Sequence, residues 1–448
     1  MKPPVAVGDH CTLDVTGLNH QGEGIGRVHG FAVFVPKAIP GDQADVEIIS
    51  IKKQYGRGLI RQMRHPSPYR VQPPCPVAER CGGCQLQHVD YSCQLELKQS
   101  LVVDALDRIG GVKQPIEPVV GMDYPWQYRN KGQFPVAGET GSPRIGFFAP
   151  RSHEVVTFDR CLVQPDAINE TLDIIKTGAA RFSVAPYSEA NHTGELRHVV
   201  IRSARNGAAR MVILVSRSDN LIRNKEFLGY LTEEVPDLKV LAWNKNSQQT
   251  NAIFGSHTEI LAGNDAIVER IDDLEFFISP RSFFQTNTLQ TQVLYEEVRL
   301  AVEAGPRDVV WDLHCGIGTI GLYAARDAGK LVGVEVIAEA VEDAKRNANH
   351  NGISADFVQG HAEDVIAGLS DFPDTVILDP PRKGCDSRLL RQLAEKKAAR
   401  IVYVSCNPAT LARDVKFLAE NGYTVQRVQP VDMFPHTVHV ECVVVLER

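Results

Sequence analysis

No apolar run in the 448-residue chain is long enough to cross a bilayer, and the opening MKPPVAVGDH lacks the hydrophobic segment of a signal peptide. A cytoplasmic protein with no membrane partner is expected, in a compartment where stable disulfides are rare. Its ten cysteines then need another account, as metal ligands, a nucleophile or core filler. Internal repeats and low-complexity segments are also absent, which excludes a solenoid and a long disordered tract.

Acidic side chains are missing from one stretch of an acidic chain. Net charge is −7, yet Ile48 to Ala78 contains no Asp or Glu, while Lys52, Lys53, Arg57, Arg61, Arg64 and Arg70 all fall there. Such a stripe can track phosphates, because the field that matters is local. A solvated strand face followed by a linker is the competing reading.

The chain is too long for one ordinary core, so two or three domains are expected. The first sixty-odd residues, with HCTLDVTGL and GEGIGRVHGFAVFVP, read as short strands between glycine turns, the pattern of a small barrel. Proline-rich HPSPYRVQPPCP ends it. In YSCQLELKQSLVVDALDRIGG, Leu95, Val102, Ala105, Leu106 and Ile109 recur at near-helical spacing until the glycine pair. Residues 120–280 alternate short strands and turns, including a hairpin around Asn206-Gly207. From about Leu289 onward, DVVWDL, KLVGVEV, ADFVQG, TVILDPP and RIVYVSC are spaced by helical stretches. That predicts a parallel, doubly wound sheet with ligands at the carboxyl ends of its strands. The expected domains are 1–66, 67–280 and 281–448, with a helix over 92–110 packing on the last.

Several of those strand ends carry chemistry. In WDLHCGIGTIGL, Asp312 ends the first strand, and Gly316 and Gly318 let backbone approach a ligand. A carboxylate there would repel pyrophosphate and suit a cationic ligand. Glu335 ends the second strand, in place for ribose hydroxyls. Asp379 ends the fourth, ahead of two stiffening prolines; capping the next turn is its plainer role. IVYVSCNPATLARDV carries Cys406 to a strand mouth, where a thiol is placed to react rather than to pack. FPHTVHVE offers His436, His439 and Glu441 as bases.

In order and spacing, FFQTN, LHCGIGT, DPPRKG, SCNP and HTVHVE resemble the RNA uracil-5-methyltransferase family over nearly the whole chain. The opening strands resemble the TRAM domain, an OB-like RNA-binding barrel. The resemblance implies an α/β protein with a Rossmann-like class I methyltransferase domain, an N-terminal OB-like barrel and a β-rich central iron–sulfur domain. It makes S-adenosylmethionine the methyl donor, contacted by Gln285, His314, Glu335 and Asp379. It makes Cys406 the nucleophile and Glu441 the base. Position 314 departs from the family, which usually has Phe or Tyr there.

The chemistry explains the pairing. Carbon 5 of a pyrimidine has no lone pair, so a thiolate first adds to carbon 6, and a base later removes the carbon 5 proton. The nearby sulfonium and the amides of the following helix are expected to favour the thiolate. Cytosine-directed relatives carry Pro-Cys after the fourth strand; Pro-Pro-Arg here points to uracil. A stacked base is not open to both thiol and donor, so stem-loop or single-stranded RNA is the expected substrate. The resemblance favours 23S rRNA and a monomer. A transfer-RNA T-loop uridine, a non-catalytic RNA-binding ribosome assembly factor and an amino-directed methyltransferase are the rivals.

Cys75, Cys81 and Cys84 form C-x5-C-G-G-C on an irregular loop, which suits a metal or cluster with a fourth ligand from Cys93 or Cys161. The resemblance selects Cys161 and a four-iron, four-sulfur (4Fe-4S) cluster, with zinc as competitor. Cys11, Cys93, Cys315, Cys385 and Cys442 read as packing residues.

Overall fold

The computed structural model describes residues 3–204, 207–369 and 371–448. The strands His10–Leu18, Glu23–Val28, Phe31–Pro36, Gln43–Ile51 and Tyr55–His65 close into a five-stranded barrel. Alternation along the strands turns Val33, Val35, Ala44, Val46 and Ile48 inward. The basic stripe is largely neutralised, contrary to the sequence reading. Arg57, Arg61, Arg64 and Arg70 pair with Glu23, Glu47, Asp45 and Asp42, acids contributed by other parts of the barrel. The Arg61 and Arg64 pairs are exposed and weak enough to exchange for phosphates. Asp42 is buried and also accepts from the amides of Ile39 and Ser67, so its bond to Arg70 belongs to the fold.

The central region holds a seven-stranded sheet running from the edge strand His257–Gly263 through Leu238–Lys245, Ala209–Ser216, Leu196–Ala204, Lys131–Glu139 and Ser142–Phe148 to Val155–Thr157. The two strands of the expected hairpin pair antiparallel, Ala204 opposite Ala209; Asn206 at its turn lies outside the described residues. This region is not only strands and turns. Helices Asp166–Arg181 and Lys225–Glu234 cover one face of the sheet. Ile168, Leu172, Ile175 and Ala179, at helical spacing after Pro165, form the buried side of the first. On the opposite face, Val200, Met211, Ile213 and Val240 share one core with Phe276, Leu294 and Ile320 of the C-terminal region.

The helix Tyr91–Ala105 starts at Asp90, whose carboxylate accepts from the amide of Ser92. It continues as a π-turn over Leu106–Gly110 and stops at Gly111, φ 69°. Val102 and Leu106 pack with Leu411, Ala412 and Val415 of the late helix Pro408–Glu420. Ile109, expected on the apolar face, is exposed, while Gln94 and Lys98 are fully buried. The reason is polar: Lys98 Nζ lies 2.5 Å from Asp432 Oδ1 and donates to the Phe434 carbonyl at 3.0 Å.

The C-terminal sheet has the order Asp356–Gln359, Lys330–Glu335, Val309–Leu313, Thr375–Leu378, Arg400–Ser405, Glu441–Glu447, Thr424–Val431. Its first five strands are mutually parallel, as the alternation of strands and helices predicts. The last strand differs from that expectation: Glu441–Glu447 is inserted antiparallel between Arg400–Ser405 and Thr424–Val431. The doubly wound sheet is therefore mixed, with one reversed strand.

The Lys98–Asp432 pair is inaccessible to solvent. Lys98→Met alone is expected to lower stability by about 3–5 kcal/mol, because a carboxylate is left buried without its partner. Lys98→Met with Asp432→Asn should recover much of that loss. Urea denaturation of the three proteins measures both.

Candidate active site

The reversed strand decides the geometry of the cleft. Its register sets Cys442 opposite Ser405, so continuing by one residue brings Glu441 opposite Cys406. Had it run parallel, Glu441 would lie at the far edge of the sheet. Instead Cys406, Glu441 and Asp379 meet where the parallel strands end. Cys406 is half-buried at the strand mouth and Glu441 is 3% exposed.

The turn under Cys406 is tightly held. Ser405 Oγ accepts from the amide of Asn407, and Asn407 caps the following helix by accepting from the amide of Ala409. The Asn407 amide group and Thr410 hydroxyl both donate to the Arg382 carbonyl, at 3.1 and 3.2 Å. The Asp379–Gly384 loop is thus fastened to the turn that carries the thiol. It also brings the Arg382 charge to bear on Cys406 and Glu441.

In the protein alone, burial and the neighbouring acids disfavour the charged forms of these groups. Burial, then Glu441 and Asp379, push the Cys406 thiol up to about 11, against smaller opposing effects of Arg382 and its own backbone hydrogen bond. Amides near the helix start therefore favour the thiolate less than expected. Pro408 has no amide hydrogen, and Asn407 already occupies that of Ala409. Burial and Asp379 hold the Glu441 carboxyl well above its usual range. His439 is pushed down to about 4 by burial, then Arg382, Lys98 and Arg129. His436, also down to about 4 through burial, stacks on Trp126 at 3.8 Å and is tied into the loop by Gln94. Both imidazoles are weak bases in this setting, and His436 is engaged elsewhere.

Beside the thiol lies a second cluster of acids. Asp312 is buried; its Oδ2 accepts from the Gly321 amide at 2.8 Å, while Oδ1 has no partner. A Cβ at position 321 would come within 2.7 Å of that carboxylate, which accounts for the glycine. Asp312 is raised to about 7 by burial, with Glu335 adding to the rise, and Asp379 to about 7 by burial and by Asp312. Glu335 accepts from the amides of Gly316 and Ile337 at 3.1 and 2.9 Å. His314 adopts φ 67° and donates its amide to the Val334 carbonyl, which pins the loop. Among non-glycine residues, histidine is one of the more tolerant of that conformation. A buried Asp312 with an unpartnered oxygen and a half-buried Asp379, with no ion pair to either among the described residues, suit a positively charged ligand.

Gln285 is buried in the segment before the helix Thr288–Val302, where its carbonyl accepts from Asn130. It lines a cavity of ≈ 580 Å³ that reaches from Arg382 and His439 to Cys75, Cys81, Cys84 and Cys161. Cys93 lies elsewhere, in an apolar cluster with Leu18, Ile39 and Leu86. The structure thus brings Cys161, not Cys93, to the three loop thiols. Among the described residues no three His, Cys, Asp or Glu side chains stand close enough to hold a single ion. Arg129, Lys131 and Arg160 line the same cavity, and no carboxylate does. Sequence reasoning missed Arg382 and Lys131; the arginine inside DPPRKG was a readable signal, whereas nothing local marks the lysine.

A family model described as tRNA (Uracil-5-)-methyltransferase matches residues 255–448, and a TRAM domain model matches residues 4–60. An RNA methyltransferase of Halalkalibacterium halodurans is 42% identical over 451 residues, covering 100% of this chain and 98% of its own. One from Clostridium tetani is 41% identical over 452 residues, covering 100% and 98%. Among solved structures, the Pyrococcus abyssi tRNA (uracil-54, C5)-methyltransferase in complex with S-adenosyl-L-homocysteine superposes with a TM-score of 0.78 at 30% identity, over 97% of this chain and 100% of its own. The chain belongs to the RNA uracil-5-methyltransferase family, with a TRAM barrel at its start.

Proposed function

We propose that this RNA uracil-5-methyltransferase works through a covalent cysteine adduct, with Cys406 as nucleophile and Glu441 as base. The observation that carries the reading is the convergence of a strand-end thiol, a buried carboxyl and Arg382 beside an acid-rich cleft. Cys406 gives up its thiol proton to solvent, its Sγ bonds to carbon 6 of the uracil, and the ring electrons move to the oxygen on carbon 4. Carbon 5 becomes the nucleophile and takes the methyl group. Glu441 then removes the carbon 5 proton, the double bond re-forms and the carbon–sulfur bond breaks. A carboxylate made more basic by burial is the stronger acceptor for that proton.

Bound S-adenosylmethionine supplies an electrophilic methyl on a sulfonium. Glu335, His314, Gln285 and Asp379 would hold it, with Asp312 beneath; the unpartnered Asp312 oxygen and the two raised acids fit a cationic donor. Cys75, Cys81, Cys84 and Cys161 would hold a 4Fe-4S cluster. What supports this reading is that the four thiols line one cavity that also carries Arg129, Lys131 and Arg160 and no carboxylate. The cluster would supply a crosslink between the loop and Cys161, since methyl transfer consumes no electrons.

The substrate is read as 23S rRNA, acting on a monomeric enzyme, on the resemblance noted for the sequence. A transfer-RNA uridine is the second reading, favoured by the likeness to the archaeal tRNA enzyme over nearly the full chain. Mapping 5-methyluridine in a strain lacking this gene decides between them. The missing nucleoside should return with the wild-type gene and not with Cys406→Ala, which should form no adduct with 5-fluorouridine RNA. Glu441→Gln should form the adduct and release it at least about a hundredfold more slowly. An adduct on Cys406→Ala would overturn the assignment.

Asp312 and Asp379 also give the donor site a pH dependence. A cation there favours the ionised acids, so donor binding releases protons from groups poised near about 7. Affinity for S-adenosylmethionine is expected to weaken as pH falls from 8 to 6, more steeply than affinity for the uncharged sulfide product. Calorimetry across that range in two buffers of different ionisation enthalpy reads both. Protein purified without oxygen should be brown, absorb near about 400 nm and carry about four irons. Colourless protein with one zinc would reject the cluster.

A further inference from the structure

The connection 432–440, which leads into Glu441, is hydrogen-bonded to the segment that follows Cys84 and to the helix Tyr91–Ala105. Its turn is at His436, φ 65°, buried to 4% exposure. The His436 carbonyl accepts from the amides of Gln85 and Leu86 at 3.0 and 2.9 Å. These are the two residues that follow Cys84. The His436 amide donates to Gln94 Oε1 at 2.9 Å, and Gln94 Nε2 lies 3.2 Å from the ring Nδ1. The same Gln94 amide group donates to the carbonyls of Leu86 and Val89 at 3.1 and 2.9 Å. Two residues on, Val438 packs on Leu86 and Leu18, and a Cβ at Gly22 of the barrel would meet it at 2.9 Å.

Gln94 is thus a buried clamp with one hand on the cysteine loop and the other on the loop that ends in the base. A left-handed backbone at a non-glycine residue is strained and persists only where its surroundings hold it. Here the holding groups include the amides next to Cys84, together with Gln94, the Trp126 ring and the Tyr128 hydroxyl on the Pro435 carbonyl. Loosening the cysteine loop would free a turn that leads into Glu441, while Cys406, on its own capped turn, stays in place.

We propose that the cysteine loop is a positioning element for the last step of the reaction, acting through Gln94 and His436 on Glu441. Its partner class is whatever binds the four thiols and keeps the loop ordered. Loss of that group then slows release of the methylated base more than it slows attack by Cys406. This rests on the assignment of Glu441 above, and Gln94 and His436 are positioning residues that do not touch the reacting atoms.

The test compares full-length protein purified without oxygen as wild type, Cys84→Ser and Gln94→Met. Hydrogen exchange followed by mass spectrometry reports amides 432–441, and quenched turnover on RNA reports the fraction trapped as denaturant-stable adduct. Both variants should raise exchange over 432–441 at least tenfold with the strand Arg400–Ser405 unchanged. Both should lower kcat about tenfold at similar KM while adduct accumulates. Gln94→Met should do so with its metal content intact, which separates the clamp from simple loss of the bound group. Unchanged exchange over 432–441 in both variants overturns the proposal, as does a fall in adduct formation that matches the fall in kcat. If wild type forms no adduct at all, the covalent reading fails instead, and the exchange data still decide the mechanical link.

Discussion

One reversed strand organises the catalytic end of this molecule. In a sheet of parallel strands every carboxyl end points the same way, and groups at strand starts are lost to the opposite edge. Inserting Glu441–Glu447 antiparallel brings a strand start to the ligand edge and places its first residue beside Cys406. In the proposed mechanism the acid and the thiol thereby come from different segments. The two are locked by a register of backbone hydrogen bonds rather than by a flexible loop. A shift of one residue in that register would turn Glu441 to the other face of the sheet.

The same arrangement concentrates acids where burial opposes their charge. Asp312, Asp379 and Glu441 all rise above ordinary carboxyl values, and burial is the leading cause for each. Such a cleft costs stability in the protein alone and is retained where a ligand returns the missing charge. Among the described residues, Arg382 is the basic side chain that acts on both Cys406 and Glu441, and it does so from an exposed loop. It is therefore placed to respond to an entering base. The cleft divides into an acidic half suited to a sulfonium and a basic mouth suited to RNA.

Much of this was legible in the sequence because strand ends advertise themselves. The runs before Asp312, Glu335 and Asp379 are apolar and β-branched, so each acid stands out as the first polar residue after a buried run, and Cys406 follows directly on Ser405 at the end of another. What stayed hidden depends on contacts distant in sequence. Alternating strands and helices do not reveal that the last strand runs backwards, because a buried antiparallel strand and a buried parallel one have the same composition. An acid-free stretch looks like a phosphate track until the barrel closes and sets Asp45 and Glu47 beside Arg64 and Arg61. The helix Asp166–Arg181 was overlooked although its apolar spacing is regular, since the strands on either side dominated the reading.

The most instructive failure concerns Tyr91–Ala105. Periodicity credits its apolar residues with the packing, yet Gln94 and Lys98 are its fully buried polar members, and Ile109 is left in solvent. Burying a lysine and a glutamine is expensive unless each finds its full set of partners. Lys98 finds them in the connection between the last two strands, at Asp432 and Phe434, while Gln94 divides its bonds between His436 there and the carbonyls of Leu86 and Val89. A helix selected only for packing would reach the same core with leucines at lower cost. Spending polar groups there is better explained by the need to fix one loop in one conformation, and that loop ends at Glu441.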